Sequence, residues 1–204
     1  MRLEEELDRE VDQYLKKVEG MEEVQELLSG KIGKDKYKKF LKTFYAIEHL
    51  SQRAVNMASI NTEKTNLYLS KRFHICAQGE LGHAEIALKD LSELGGNCHL
   101  LENPEIVKEY DRLLQKEAEV FPLAILGHSY LFENVSGKLF PKHKKLKFPS
   151  KFIEVHAKED PGHSRAIKRT LRNIEKDLSK DNVERIIDFT RQSGEYLMKV
   201  FEHY

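Results

Sequence analysis

Cysteine is nearly absent: Cys76 and Cys98 are the only two among 204 residues. Two cysteines cannot form the disulfide framework that staples small secreted domains, and neither belongs to a C-x-x-C pair, so a reducing cytoplasm fits best. An excess of either charge is missing too. Lys+Arg and Asp+Glu stand at 34 each, so nothing global points to nucleic acid or an anionic membrane as partner. No stretch approaches the roughly eighteen apolar residues that cross a bilayer. The opening Met1-Arg2-Leu3-Glu4-Glu5-Glu6 is acidic and lacks an apolar signal core. Alternating runs flanked by hairpin signals are also missing, as is any internal repeat.

What is present is helical periodicity. Hydrophobic residues make up 40% of the chain, with ten Phe and eight Tyr, enough for one domain over 1–204 with a full core. Leu3, Leu7, Val11, Tyr14, Leu15 and Val18 predict an amphipathic first helix ending at Gly20, with a shorter one to Leu28. Residues 1–30 thus read as N-terminal helices. From Tyr37 through Phe44, Ile47 and Leu50 toward Ile60 the same period continues, with Glu48 close to the apolar face. A long helix is predicted from Thr62 to Leu94, interrupted only by Gly79 and Gly82 and closed by Gly95-Gly96. Asn103-Pro104 starts another, with Asn as N-cap and Pro at the first position. The apolar stretch from Leu123 to Leu139 follows. The basic segment Lys142-His143-Lys144-Lys145-Leu146-Lys147 reads as a solvated loop, and Pro149-Ser150 opens the helix carrying His156 to His163. A last amphipathic helix fills 180–204. The fold class is all-α, with about seven or eight helices.

On the penultimate helix His156, Asp160 and His163 fall at i, i+4 and i+7 and share one face. Two imidazoles and a carboxylate pointing one way are metal-ligand chemistry. Pro161 lies between them and predicts a kink or a π-type bulge, an irregularity that could bring Glu159 in place of Asp160. Glu80 and His83 form a Glu-x-x-His pair of the kind that holds metals in helix bundles. Glu133 sits in a strongly apolar stretch, where an unpaired carboxylate would be too costly to keep charged. Glu48 invites the same reasoning. Seven candidates result: Glu48, Glu80, His83, Glu133, His156, Asp160 and His163. Carboxylates and imidazoles without thiolate favour non-haem iron, with manganese as a substitute, over structural zinc. Six or seven ligands suit two ions. His49, His74 and His128 read as packed or surface histidines, and Glu85, Asp90, Glu154 and Glu159 as solvated. Tyr45 and Tyr130, near candidate ligands in sequence, are expected to shape the pocket or act as redox partners.

Three stretches carry a family resemblance: Gly79-Glu80-Leu81-Gly82-His83 followed by Asp90-Leu91 and Leu94-Gly95, Glu133 at the end of Leu126-Gly127-His128-Ser129-Tyr130-Leu131-Phe132-Glu133, and His156-x3-Asp160-x2-His163. Over 37–178 the chain resembles the haem-oxygenase-like diiron oxidases and oxygenases, to which the chlamydial death-domain-associating protein also belongs. The resemblance implies a seven-helix haem-oxygenase-like bundle whose metal-binding core spans 35–178. It implies two iron ions per chain and O2 as co-substrate for desaturation, carbon-carbon cleavage or N-oxygenation of a small molecule. It assigns metal ligation to His83, Glu133, His156, Asp160 and His163, with Glu80 and Glu48 as the further carboxylates, and it suggests a homodimer. One departure stands out: where some members carry a carboxylate seven residues before the core-helix His, this chain has Cys76.

Two other readings compete. A thiaminase-like hydrolase would need a nucleophilic Cys just before Glu133, and the chain has none between Cys98 and Tyr204. A haem- or small-molecule-binding bundle without diiron chemistry would take its axial histidine from the first core helix, where only His49 is available. That reading leaves His156, Asp160 and His163 unexplained.

Overall fold

The computed structural model describes residues 2–96 and 105–202. Among these, nine α-helices follow one another: α1 (Leu3–Glu19), α2 (Glu22–Leu28), α3 (Lys34–Thr62), α4 (Leu67–Gly79), α5 (His83–Glu93), α6 (Glu105–Val120), α7 (Ala124–Leu139), α8 (Lys151–Ile174) and α9 (Lys180–Phe201). No strand occurs among the described residues. The expected N-cap at Asn103-Pro104 and the second cysteine, Cys98, lie outside them. No helix of the described residues is long and apolar enough to cross a membrane.

The count exceeds the seven or eight expected because the long helix predicted from Thr62 to Leu94 is two helices. A first break comes at Glu63 to Asn66, where the Asn66 side chain accepts from the Leu69 N–H and caps α4. The second comes at Glu80-Leu81-Gly82. Gly82 adopts φ 95°, a left-handed conformation that costs glycine little and other residues more. Glu80 and His83 therefore flank a turn between helices rather than sharing one helical face.

α3 packs against α4, α5 and α6, α7 lies along α8 and α9, and α1 closes the far side on α7, α8 and α9. One hydrophobic cluster draws residues from all nine helices. Leu3, Leu7, Val11 and Val18 supply the buried stripe of α1, at the spacing its sequence requires. Its polar edge is held by ion pairs, Glu4 to Arg172 of α8 and Glu10 to Arg191 of α9. In the basic loop the lysines stay exposed, while Leu146 is buried and the Lys144 N–H donates to the Leu28 carbonyl.

Two features set how α8 is mounted. Asp90 of α5, expected to be solvated, is 2% exposed, and its Oδ2 accepts from the Phe152 N–H at 2.9 Å. The Ser150 side chain makes no cap bond, so a residue sixty-two positions earlier in the chain supplies the acceptor that α8 needs at its N-terminus. Burial raises the Asp90 pKa. Asp90→Ala is expected to cost about 1–3 kcal/mol, a range set by stranding a buried donor, read as a shift in urea midpoint.

The second feature is at Pro161. α8 continues through it without the π-type bulge the sequence suggested. There α7 comes close: a Cβ on Gly137 would lie 3.1 Å from the Pro161 nitrogen and 3.2 Å from the Asp160 Cβ. A position without a side chain meets a position without an N–H, and the two helices approach nearly backbone to backbone.

Candidate metal centre

Glu48 comes from α3, Glu80 and His83 from either side of the α4–α5 turn, Glu133 from α7, and His156, Asp160 and His163 from α8. Helical period accounts for much of this. The polar side of α8 would ordinarily face water, yet His156 is 5% and Asp160 1% exposed, because the α8 face bearing them packs toward α7 and α5. Six of the seven line one cavity of about 220 Å³. His83 stands beside it, buried, with its ring edge-on to His156 at 4.7 Å between centroids.

The seven residues sort into two sets of donors. In one, Glu48, His83 and His156 each bring a ligand atom within 4.8 Å of the other two; in the other, Glu80, Glu133 and His163 do the same. The α8 face is thus shared, with His156 in the first set and His163 in the second. Glu80 and His83 are divided likewise. Asp160, midway along that face, lines the cavity but belongs to neither three-donor set.

Contacts within the sets are close without being well-formed hydrogen bonds. His163 Nδ1 lies 3.0 Å from Glu80 Oε1 and 3.4 Å from Glu133 Oε2, and His156 Nε2 lies 3.5 Å from Glu48 Oε1. Buried polar atoms lacking a hydrogen-bond partner collect here: His83 Nδ1, Glu133 Oε2, His156 Nε2, both Asp160 oxygens and His163 Nδ1. Such orphans are rare in folded proteins and call for an explanation. Donor atoms aimed at a shared centre, rather than at each other, supply one. With metal-ligand bonds of about 2.0–2.2 Å, two donors on one ion are at most about 4.4 Å apart, so each set needs only a small inward adjustment. The residues present fit a pair of ions.

The supporting contacts have the same character. His156 Nδ1 lies 2.7 Å from the Phe152 carbonyl. A carbonyl only accepts, so Nδ1 carries a proton and Nε2 is the nitrogen turned to the site, the arrangement that orients metal-bound histidines. His83 has a carboxylate near each nitrogen, Glu80 at 3.0 Å from Nδ1 and Glu159 at 3.3 Å from Nε2. Whichever nitrogen binds, the other has an acceptor.

In the metal-free chain protons take up the charge imbalance. Burial drives the Glu133 carboxyl well above the usual range and lifts Asp160 to about 6. Burial opposes ionisation of Glu80 too, but the His163 and His83 imidazoles close beside it outweigh burial and hold that pKa low. Glu133 and Glu80 raise His163 to about 11; Glu48 raises His156 to about 10 against its burial.

Several expectations fail here for geometric reasons. The Tyr130 hydroxyl donates to Asp8 of α1, and Tyr45 lies in a separate shallow cleft with His49, Arg53 and Asp111, so neither tyrosine lines the cavity. Glu159, expected to be solvated, reaches His83. Its position beside Asp160 was visible in the sequence; its direction was not. His128 is a packed histidine, as expected. Its Nε2 is 3.0 Å from Ser51 Oγ and its Nδ1 2.6 Å from the Tyr110 hydroxyl, and burial lowers its pKa to about 3. His49 is exposed and edge-on to Tyr45. No histidine of α3 faces the cavity.

Fold and donors together define a class: an all-α bundle that brings carboxylates and imidazoles from four regions of the chain into one buried cage. No family model matches the chain, and no curated protein matches it. Solved structures do match in fold. A TenA homologue from Pyrococcus furiosus superposes with a TM-score of 0.86 at 17% identity, covering 98% of each chain. A domain of unknown function with a haem-oxygenase-like fold from Shewanella denitrificans gives 0.83 at 18%, covering 96% of this chain and 89% of that one. Haem oxygenase-1 from the cyanobacterium Synechocystis, solved with haem, gives 0.69 at 17%, covering 99% and 91%. The fold is haem-oxygenase-like.

Proposed function

We propose that this chain is a non-haem dinuclear iron enzyme that uses O2 to oxidise a small molecule. The observation that carries the reading is the convergence of two three-donor sets, Glu48/His83/His156 and Glu80/Glu133/His163, in which His83, Glu133, His156 and His163 each have a buried polar atom without a hydrogen-bond partner. Oxygen and nitrogen donors without thiolate suit iron or manganese. Two Fe(II) ions bound here would supply the electrons for reducing O2.

The chain's own residues would do the rest. His156 is orientated through Phe152, His83 through Glu159 or Glu80, and Asp160, on the same α8 face as His156 and His163, would be a further carboxylate available to the ions. Phe44, Phe132, Phe140 and Phe152 line the cavity. They exclude water from the site and offer an apolar substrate a surface to bind, so that oxidation is directed at the bound molecule. Desaturation, carbon-carbon cleavage and N-oxygenation all remain within this scheme, because the cage sets the oxidant and the cavity sets the target.

The other two readings find less support. A haem protein needs an axial ligand, and the cavity face of α3 presents Phe44, Ile47, Glu48, Ser51 and Val55. A cysteine hydrolase needs a thiolate. Burial raises the Cys76 thiol to about 11, with Glu133 and Glu80 adding to the rise, the reverse of what activates a nucleophile.

Anaerobic Fe(II) titration followed by O2 tests the proposal. The expected result is two irons per chain and a transient visible absorption on exposure to O2. A Soret band with added haemin, together with no iron uptake, would overturn it.

A further inference from the structure

Among the described residues Arg72 is the one lysine or arginine that lines the cavity. It lies on α4 at i−4 from Cys76 and i−7 from Gly79, both of which also line the cavity, so one face of the helix delivers all three. Its Nε donates to Thr170 Oγ1 at 3.1 Å, and Thr170 is 2% exposed and bonded in turn to the Ala166 carbonyl. The guanidinium is therefore held from α8 by one of its five N–H groups. Among the described residues no carboxylate forms an ion pair with it; of the cavity-lining carboxylates Glu48, Glu80 and Glu133 belong to the two donor sets, and Asp160 lies on α8 between His156 and His163. Next along the helix, Ile75 lines the cavity yet is 55% exposed. Arg72 and Ile75 thus mark the side on which the cavity opens.

We propose that Arg72 anchors the carboxylate of the substrate at the cavity mouth while the apolar remainder extends inward along the phenylalanine-lined wall. This deepens the function proposed above and rests on it. A planar guanidinium with a free edge matches a carboxylate in a two-bond fork. Charge favours a monoanion: one arginine balances one negative charge, and a dianionic phosphate would carry surplus charge toward a carboxylate-rich cage. Length follows from the helix. Arg72 and Glu80 are eight residues apart, about 12 Å of axial rise. A molecule held by its carboxylate at Arg72 therefore offers the cage an atom remote from that carboxylate, not the carboxylate itself. The substrate class is an acid with an extended apolar body, oxidised at its far end.

Calorimetric titration of the metal-free chain with octanoate and with 4-phenylbutyrate, each compared with its primary amide and with octyl phosphate, tests the anchor. The acids are expected to bind at least tenfold more tightly than the amides. Arg72→Gln is expected to bring the acids down to the amides' level and leave the amides unchanged, while Arg72→Lys retains part of the preference. Equal binding of the acids to Arg72→Gln and the unaltered chain overturns the anchor. So does equal binding of acid and amide, absence of binding by either acid, or tighter binding of octyl phosphate. Iron stoichiometry is measured in parallel on separate portions of the same preparations loaded with Fe(II) under argon. Its failure in the unaltered chain counts against the dinuclear reading alone, because the anchor is judged without metal.

Discussion

Replacing His163 with alanine is expected to reduce iron uptake from two ions per chain to one at most. His163 is the only imidazole in its set, and without it that set is reduced to Glu80 and Glu133. Two adjacent carboxylates in a buried position repel each other, and one of them protonates rather than remain charged. Glu133, whose burial already pushes its pKa well up, would take the proton. A neutral carboxyl is a poor ligand, so the defect extends beyond the one donor removed. The Glu48 set keeps both of its histidines and is expected to hold its ion. Anaerobic titration with iron analysis after gel filtration reads the result, and unchanged stoichiometry would remove His163 from the site.

Glu133→Leu is expected to move stability in opposite directions with and without metal. In the metal-free chain Glu133 is a buried carboxyl with an unpartnered oxygen, and an apolar residue of similar size relieves that cost. Glu80 still faces His163 at 3.0 Å, so no lone charge is left behind. Removing a buried polar group that lacks a hydrogen bond relieves a cost of about 1–3 kcal/mol. The unaltered chain gains from metal instead, about 2.7 kcal/mol at a hundredfold excess over the dissociation constant. Thermal unfolding with and without Fe(II) under argon should show a higher midpoint for the metal-free variant and a much smaller response to metal. An undiminished response to metal would show that Glu133 is not a ligand.

The elements most legible in the sequence were those governed by period within a single helix. The i, i+4, i+7 spacing of His156, Asp160 and His163 is a property of α8 alone, and all three line the cavity, His156 and Asp160 buried and His163 partly so. Glu133 was legible for another reason, the cost of placing a carboxylate in so apolar a stretch. What the sequence did not disclose was which donors stand together. Nothing local says that His156 and His163 fall in different sets, because that depends on how α3, α7 and the α4–α5 turn approach α8. The same limit explains Tyr130, three residues before Glu133 yet turned to Asp8 of α1. It also explains Asp90, whose partner is sixty-two residues away. The break after Gly79 was partly readable, since two glycines close together weaken a helix. Only the φ of Gly82 decides that they end it.

The meeting of Gly137 with Pro161 has a consequence for how such a cage could be tuned. The separation of α7 from α8 fixes how far Glu133 stands from His163, and at this crossing it is governed by atoms that are absent from both partners. A methyl group at 137 would sit 3.1–3.3 Å from the α8 backbone and the Asp160 Cβ, tighter than ordinary contact by a few tenths of an ångström. The spacing of the cage thus has an adjusting screw outside the donor set, and a single added carbon there would shift Glu133 relative to His163 with every donor side chain still in place.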